Sequence, residues 1–206
     1  AVSPPGGDLS EPVSQATLRV VKVFWGLDAT LAYRRHFPAI NWLLSYSLYL
    51  ENVMPYFDQL LGEKWSDLRR EAMKLLQEEA ELEEIVRLVG IDALSPRERL
   101  ILETAKSIRE DFLHQNAMHD VDTYTTVQKQ LLMLDLILSY YQEALKLVEK
   151  DDIGLDLERL FSLPVRERIA RAKYVPEERL TELESVYQEI KEQVASLSDE
   201  GEEEDA

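Results

Sequence analysis

The chain has 206 residues, 45% of them hydrophobic, and a formal net charge of -17 at pH 7. That length and hydrophobic content allow one or two domains with a core of their own. The charge argues against nucleic acid, because phosphate binding needs clustered Lys and Arg, and it argues against an anionic membrane surface. The absence of cysteine excludes disulfides, thiolate catalysis and cysteine-based zinc sites.

No apolar run approaches the roughly 20 residues needed to span a bilayer, so we expect no direct membrane insertion. The N-terminus shows no basic segment followed by an apolar one, and no signal peptide is visible. The sequence begins on Ala1 rather than Met, which suggests a piece of a longer protein.

The N-terminal part predicts a loop, a short strand and a short helix. Residues 1–12 are rich in Pro, Gly and Ser and predict a loop. Residues 19–27 are rich in Val, Phe and Trp and predict a short strand. Asp28 is a plausible N-cap for a short helix over residues 29–35.

Nearly everything from Ile40 onward predicts helix. The expected helices cover residues 52–61, 64–77, 79–89, 96–115, 121–150, 164–173 and 176–197. Helices are expected to stop at Gly62 and Gly90. The strongest periodic signal lies in residues 121–150, where apolar residues alternate spacings of three and four along one stripe, and further apolar residues predict a middle buried on two sides. The fold class is therefore mainly α, with one short strand near the N-terminus.

The sequence shows no catalytic apparatus. It has neither a G-x-x-x-x-G-K-[ST] nor a G-x-G-x-x-G pattern, so no phosphate-binding loop is visible. His114 and His119 lie five apart across a helix break, which is not the spacing of a helical zinc site, and we expect structural or solvent-exposed roles for them. The sequence contains no Glu-x-x-His pair, which is the pattern that would indicate a di-iron bundle. The carboxylate run at residues 78–84 is interpreted as a solvated helix face.

Two irregular segments are candidate binding elements. Phe37 lies in a His-Phe-Pro step, where a stiff loop could expose a ring on which a flat ligand stacks; the alternative is an aromatic side chain in the core. Residues 116–124 form a loop between two long helices, and the alternative there is a plain connection.

Several motifs together resemble the catalytic A subunit of archaeal A-type and vacuolar-type rotary ATPases. They are SPPGGDLSEP, FWGLDATLA, RRHFPAINWLLSYSLY, QNAMHDVDTYTT and RERIARAKYVPEE, spread from residue 3 to residue 178. The resemblance is to the C-terminal part of that subunit. It implies a helical C-terminal domain preceded by a strand and loop left from an α/β nucleotide-binding domain. The implied divisions are residues 1–37 for the edge of the nucleotide-binding domain, 38–198 for the helical domain and 199–206 for a disordered acidic tail.

The resemblance implies that this region supplies walls of an adenine pocket. By motif position Phe37 matches one family aromatic residue. Met118 stands where the family has Phe; its thioether can cover a ring face, but it cannot stack as Phe would. Tyr124 lies close to where the F-type relative places a further ring.

The segment GIDALSPRE resembles the acidic turn by which F-type beta subunits touch the rotating shaft. It marks Asp92, Leu94, Ser95 and Pro96 as candidate rotor contacts. Pro96 and Arg97 replace acidic residues, so any force that this turn exerts on the shaft would depend more on its shape than on its charge. The alternative is an ordinary helix start with Ser95 as N-cap and Pro96 at the first helical position.

As part of such a subunit, the chain would act in a rotary proton- or sodium-translocating ATP synthase or ATPase. ATP or ADP with Mg²⁺ would be the cofactors, with the phosphates and Mg²⁺ held by an upstream domain, so this chain alone should be inactive. The implied partners are B subunits in an alternating A3B3 ring and the central stalk. The implied location is cytoplasmic, peripheral to the cell membrane, and a hinge is expected near residues 36–45.

Two other interpretations remain open on the sequence alone. One is a free-standing acidic helical module that docks a basic partner without catalysis. The other is the noncatalytic B subunit of the same machine, although the RRHFPAINW motif favours A over B.

Overall fold

The computed structural model describes residues 9–150 and 156–204, with side chains described as far as residue 198. Its N-terminal part, here called the sheet unit, contains two short helices and one antiparallel strand pair. The elements are α1 (Pro12–Leu18), β1 (Val23–Leu27), α2 (Ala29–Tyr33) and β2 (Ile40–Ser47). The strand predicted over residues 19–27 is thus shorter than expected, because a turn that follows α1 occupies residues 19–22.

The strand pair has an irregular register. Val23 pairs with Ser47, Phe24 with Tyr46, Gly26 with Asn41 and Leu27 with Ile40. Residues 42–45 therefore bulge opposite one residue of β1. Asn41 closes the bulge, since its side-chain oxygen accepts the backbone N–H groups of Leu43 and Leu44 at 3.0 Å each. A Cβ added to Gly26 would lie 3.1 Å from the Cβ of Leu44, which leaves little room for a larger residue there.

The rest of the described chain, here called the helical unit, is a bundle of helices. It consists of α3 (Leu50–Leu61), α4 (Lys64–Val89), α5 (Pro96–Ser107), α6 (Val127–Lys150), α7 (Leu157–Phe161), α8 (Pro164–Arg171) and α9 (Glu184–Glu204). The α5 helix continues directly into a π-helical turn, Ile108–Leu113. Short 3-10 turns occupy Ile91–Ala93, Ala172–Tyr174 and Glu177–Leu183. Gly62 and Gly90 end their helices with φ of 84° and 88°, as expected for residues without a Cβ.

The core lies where α4, α5, α8 and α9 pack around α6. The middle of α6 is buried on more than one side, as its wide apolar stripe predicted. Its buried apolar residues are Met133, Leu134, Leu136, Ile137, Leu138, Tyr140, Tyr141, Ala144, Leu147 and Val148. Asp135 is also buried there, and it accepts hydrogen bonds from Lys64 at 2.6 Å and from the hydroxyl of Tyr187. These bonds join the start of α4 and the side of α9 to α6.

The mainly α fold with an N-terminal strand is confirmed, but several elements differ from the sequence-based expectation. Residues 40–47 form β2 rather than helix, because they supply the ladder partner of β1. The strand pair therefore crosses the division expected between residues 37 and 38. No break separates residues 77 and 79, where the chain contains no helix-breaking residue, and α4 runs through.

Two further differences concern helix ends. The α6 helix begins at Val127 rather than at residue 121. The Nδ1 of His119 accepts the backbone N–H groups of Val121 and Asp122, which holds these residues in the loop. The α9 helix extends to Glu204, into the part of 199–206 that was expected to be disordered, because adding residues to an existing helix costs far less than starting one. No helix in the described part of the chain is long and apolar enough to cross a membrane.

Candidate nucleotide-base site

Phe37 lies on a short loop between α2 and β2 and is half exposed, with 51% of its surface accessible. The ring is therefore free to receive a ligand, and the core alternative does not describe it. Its backbone carbonyl accepts a hydrogen bond from the backbone N–H of Gln115 at 2.7 Å. This bond attaches the Phe37 loop to the beginning of the second candidate segment.

His36, the residue before Phe37, anchors the same loop to the helical unit. It is buried, and its Nε2 lies 2.9 Å from the backbone carbonyl of Arg109. A carbonyl oxygen only accepts, so Nε2 carries the hydrogen and donates it. The His36 ring also lies against Trp42 and His114, at centroid distances of 5.8 and 5.2 Å. Phe37 thus projects from a loop whose neighbouring residue is fixed.

Residues 114–126, here called the QNAM loop, are held together by their own polar side chains. The carboxylate of Asp122 accepts the backbone N–H of Asn116 at 2.6 Å. The Nδ1 of His119 accepts the backbone N–H groups of Val121 and Asp122, at 3.1 and 3.3 Å. The side chain of Gln115 donates to the carbonyl of Asp122 at 2.7 Å. The loop is therefore an ordered structure, and His119 is structural, as the sequence predicted.

Met118 and Tyr124 project from this ordered loop into solvent, with 94% and 85% of their surfaces accessible. Burying exposed apolar side chains against a bound partner or ligand removes their surface from water, which favours binding. The structure thus brings the two segments predicted from sequence together through the bond between Phe37 and Gln115 and leaves all three predicted side chains accessible.

Arg109 connects the sheet unit with the bundle. Its guanidinium binds the buried carboxylate of Glu79 in α4, with Nε at 3.0 Å and Nη2 at 2.9 Å, while its carbonyl receives the hydrogen bond from His36. Burial raises the pKa of Glu79, and the charge of Arg109 and its hydrogen bond act against that rise. Losing either partner of such a buried pair would leave an uncompensated charge.

The candidate rotor contacts lie at the C-terminal end of α4. Asp92 is exposed and its carboxylate pairs with Arg99 at 3.3 Å. Ser95 forms a capping box with Glu98, and Pro96 occupies the first turn of α5, so the predicted helix start is confirmed. Leu94 is only 6% exposed and packs in the core, so the structure does not present it to a partner.

Sequence reasoning missed an apolar patch beside Asp92. It consists of Ile85, Leu88, Val89 and Ile91, which are 43%, 82%, 63% and 51% exposed. Here it is called the α4-end patch. The sequence does contain a signal for this patch. Apolar residues adjacent in sequence beside the helix-ending Gly90 cannot all face the same core, so some of them must be exposed.

Sequence reasoning also missed two buried lysines, Lys129 and Lys173, with 0% and 4% of their surfaces accessible. The signal there was weak, since charged residues are seldom fully buried. No group of three or more His, Cys, Asp or Glu side chains that could hold a metal ion occurs among residues 9–150 and 156–204.

Two family profiles match the chain. Residues 1–47 match the nucleotide-binding domain of the ATP synthase alpha/beta family, and residues 55–155 match the C-terminal domain of V and A type ATP synthase. The fold, an edge of a sheet followed by a helical bundle, agrees with that division. Together they define the class as the C-terminal region of an ATP synthase subunit.

Curated relatives specify which subunit. The V-type ATP synthase alpha chain of Thermoanaerobacter pseudethanolicus is 62% identical over 201 residues, which cover 98% of this chain and 34% of that protein. The V-type ATP synthase alpha chain of Acetivibrio thermocellus is 60% identical over 198 residues, covering 96% of this chain and 33% of that protein. This chain belongs to the V- and A-type ATP synthase family and corresponds to the C-terminal region of its alpha chain. It spans about a third of the length of these relatives.

A solved structure shares the fold. It is described as a unique ATP synthase subunit NeqB from Nanoarcheaum equitans, and it superposes with a TM-score of 0.57 at 23% sequence identity, covering 67% of this chain and 34% of that one. At this identity the likeness concerns the fold alone.

We expect Asp28 to stabilise the Phe37 loop in a pH-dependent way. Burial favours a higher pKa for its carboxyl, but hydrogen bonds from Asn41, Leu31 and Thr30 outweigh it, and the pKa is lowered from 3.8. A lowered native pKa contributes stability that is present above the unfolded value and is lost as the pH falls through the native value. Asp28→Ala should therefore lower the free energy of unfolding by about 1 kcal/mol at pH 7, and the difference should shrink below pH 3.8.

The measurement is denaturant unfolding from neutral pH to below pH 3. Asp28→Asn is the matched control, because an amide can still cap the helix but does not titrate near this pH. A difference between Asp28→Ala and the unchanged chain that stays constant over the whole range would contradict the assignment.

Proposed function

We propose that this chain is the C-terminal part of the alpha subunit of a rotary, ion-translocating ATP synthase or ATPase, and that it forms part of the adenine site. Phe37 would stack on the base, Met118 would cover its other face, and Tyr124 would flank it. The observation that carries this proposal is the hydrogen bond from Gln115 to the carbonyl of Phe37, which holds two accessible apolar surfaces on joined, ordered segments.

The proposed roles follow from the chemistry of these side chains. An aromatic ring stacks on any flat base, with a contribution on the order of 1–3 kcal/mol. A thioether adapts to the shape of a ring without fixing its orientation. Neither group can bind phosphate, so we propose that a preceding part of the subunit holds the phosphates and Mg²⁺ and performs the phosphoryl transfer. This chain alone should then be inactive.

The division of the chain is also proposed. Because β1 and β2 form one ladder, we place the end of the nucleotide-binding domain after Ser47 rather than after Phe37. The expected hinge at residues 36–45 overlaps this ladder and the bond between His36 and Arg109. We propose instead that Leu48 and Tyr49, which separate β2 from α3, absorb the rotation of one unit against the other. The bonds from His36 to Arg109 and from Gln115 to Phe37 join the two units, so they would form in the closed state and break when the units rotate apart.

The proposed assembly is an alternating A3B3 ring around a central stalk, on the cytoplasmic side of the membrane. The sheet unit exposes Trp25 and Leu44, each 54% accessible, and α3 exposes Tyr56 at 63%. Exposed apolar residues of this kind fit surfaces that other subunits or preceding parts of the alpha chain would cover.

Replacing Phe37 with Ala in the full-length alpha subunit, within its assembled complex, should raise the KM for MgATP about fivefold or more, because the stacking interaction is lost. Steady-state ATP hydrolysis measures this. Tyr33→Ala is the matched control, since Tyr33 is another exposed aromatic residue of the sheet unit, 88% accessible, in the neighbouring α2. An unchanged KM for Phe37→Ala would exclude the stacking role.

A second proposed role concerns the central stalk. The α4-end patch and the adjacent Asp92 offer an apolar surface with a charged edge, whereas Leu94 is in the core and Ser95 and Pro96 are occupied in starting α5. We therefore propose that a stalk contact would involve Leu88, Ile91 and Asp92, with Ser95 and Pro96 supporting the turn.

The double replacement Leu88→Ser and Ile91→Ser should lower ATP-driven ion transport per ATP hydrolysed in the assembled complex, because apolar contact with the stalk is lost. The matched control is Leu60→Ser, an exposed leucine of α3, 46% accessible. Transport and hydrolysis are measured on the same reconstituted preparation. An unchanged ratio in the double variant would remove the α4-end patch from the coupling mechanism.

A further inference from the structure

Three side chains of one short segment contact the QNAM loop at its beginning, middle and end. They are Lys173, Tyr174 and Glu177, here called the brace. The segment lies between α8 and α9, far from the loop along the sequence. Neither the family profiles nor the names of the relatives assign it a role.

Lys173 holds the beginning of the loop. Its Nζ donates to the carbonyl of Glu110 at 2.8 Å and to the carbonyl of His114 at 2.7 Å. These carbonyls lie within and just after the π-helical turn, where the regular helical pattern ends and backbone acceptors need other partners. Lys173 is itself fixed, because its own carbonyl accepts a hydrogen bond from the fully buried Lys129 at 2.8 Å.

Tyr174 and Glu177 hold the middle and the end. The ring of Tyr174 lies 4.6 Å from the ring of His119, centroid to centroid, and His119 is the residue whose Nδ1 organises the loop. The carboxylate of Glu177 accepts the backbone N–H of Thr126 at 3.2 Å and its hydroxyl at 2.9 Å. Thr126 directly precedes α6, so the bond fixes the point at which the loop enters the helix.

The three contacts of the brace differ in chemistry, but all of them help to fix the position of Met118 and Tyr124. Met118 and Tyr124 are themselves almost fully exposed, so their own side chains do little to hold their positions. Their placement depends on the backbone of the loop. The brace contacts the loop from outside at three points, and α6 adds a bond from the side chain of Gln130 to the carbonyl of Thr125 at 3.1 Å. Movement of the brace relative to the sheet unit would therefore change the distance between the QNAM loop and Phe37.

We propose that the brace positions the QNAM loop for nucleotide-base binding, with Lys173, Tyr174 and Glu177 as positioning residues that do not touch the nucleotide. This inference rests on the proposed adenine site. The brace would also connect the adenine site to α8 and α9, because its segment lies between these two helices. A rotation of the helical unit would reach the base through the brace rather than through α6 alone.

Glu177→Ala is the sharpest test, because Glu177 is exposed and its loss should not unfold the core. In the full-length alpha subunit within its complex, it should raise the KM for MgATP about two- to tenfold while kcat at saturating MgATP stays unchanged. Glu177→Gln, which keeps an acceptor for Thr126, should restore most of the affinity. Glu178→Ala is the matched control, since Glu178 is the adjacent exposed carboxylate in the same 3-10 turn.

Amide hydrogen exchange of residues 116–126 in the same variants provides a readout independent of catalysis. Faster exchange together with a raised KM in Glu177→Ala, and neither change in Glu178→Ala, supports the positioning role. A general structural defect would instead lower kcat by reducing the fraction of active complexes, and that result would overturn the proposal. Unchanged exchange would also overturn it.

Phe37→Ala, measured in parallel, separates the two proposals. If Phe37→Ala raises the KM and Glu177→Ala speeds exchange without changing the KM, the adenine site stands and the brace is not a positioning element. If neither variant changes the KM, the adenine site itself is wrong, and the role of the brace in base binding falls with it.

Discussion

The structure depends on Arg109, which joins its two units. Its guanidinium neutralises the buried Glu79 of α4, and its carbonyl accepts the hydrogen bond of His36 from the sheet unit. The pair with Glu79 adds little net stability, because desolvation offsets much of the attraction, yet losing one partner would cost about 3–5 kcal/mol. The hydrogen bond of His36 places Phe37 next to the QNAM loop. Together with the bond from Gln115 to the carbonyl of Phe37, this joint holds the two surfaces that could enclose a base in one relative position.

Buried positive charge has a distinct use in this acidic chain. Lys129 and Lys173 lie inside the bundle, and each binds backbone carbonyls rather than forming a close ion pair with a carboxylate. Burial lowers the pKa of both lysines, while nearby carboxylates such as Asp122 act against that shift. The carbonyls they bind lie where regular helix gives way to the π-helical turn and the brace. The irregular backbone around the candidate site is thus satisfied by long cationic side chains reaching from neighbouring elements.

The sequence predicted most helices because their signals are local. Gly62 and Gly90 stop helices through their own backbone freedom, Ser95 caps α5 with a residue three positions on, and the stripe of α6 follows from its period. It failed at β2, whose strand conformation depends on pairing with β1. The exposed position of Phe37 on its loop followed from its Pro neighbour, but the bond to Gln115 joins residues 78 positions apart, and no local pattern encodes it.

The most direct measurement is an experimental structure of the full alpha subunit in its assembled complex with bound MgADP. The adenine ring should lie face to face with the ring of Phe37, with Met118 on its other side. The bonds from Gln115 to Phe37 and from Thr126 to Glu177 should both be intact in that state. An adenine ring bound elsewhere, with Phe37 still half exposed to solvent, would contradict the proposed site.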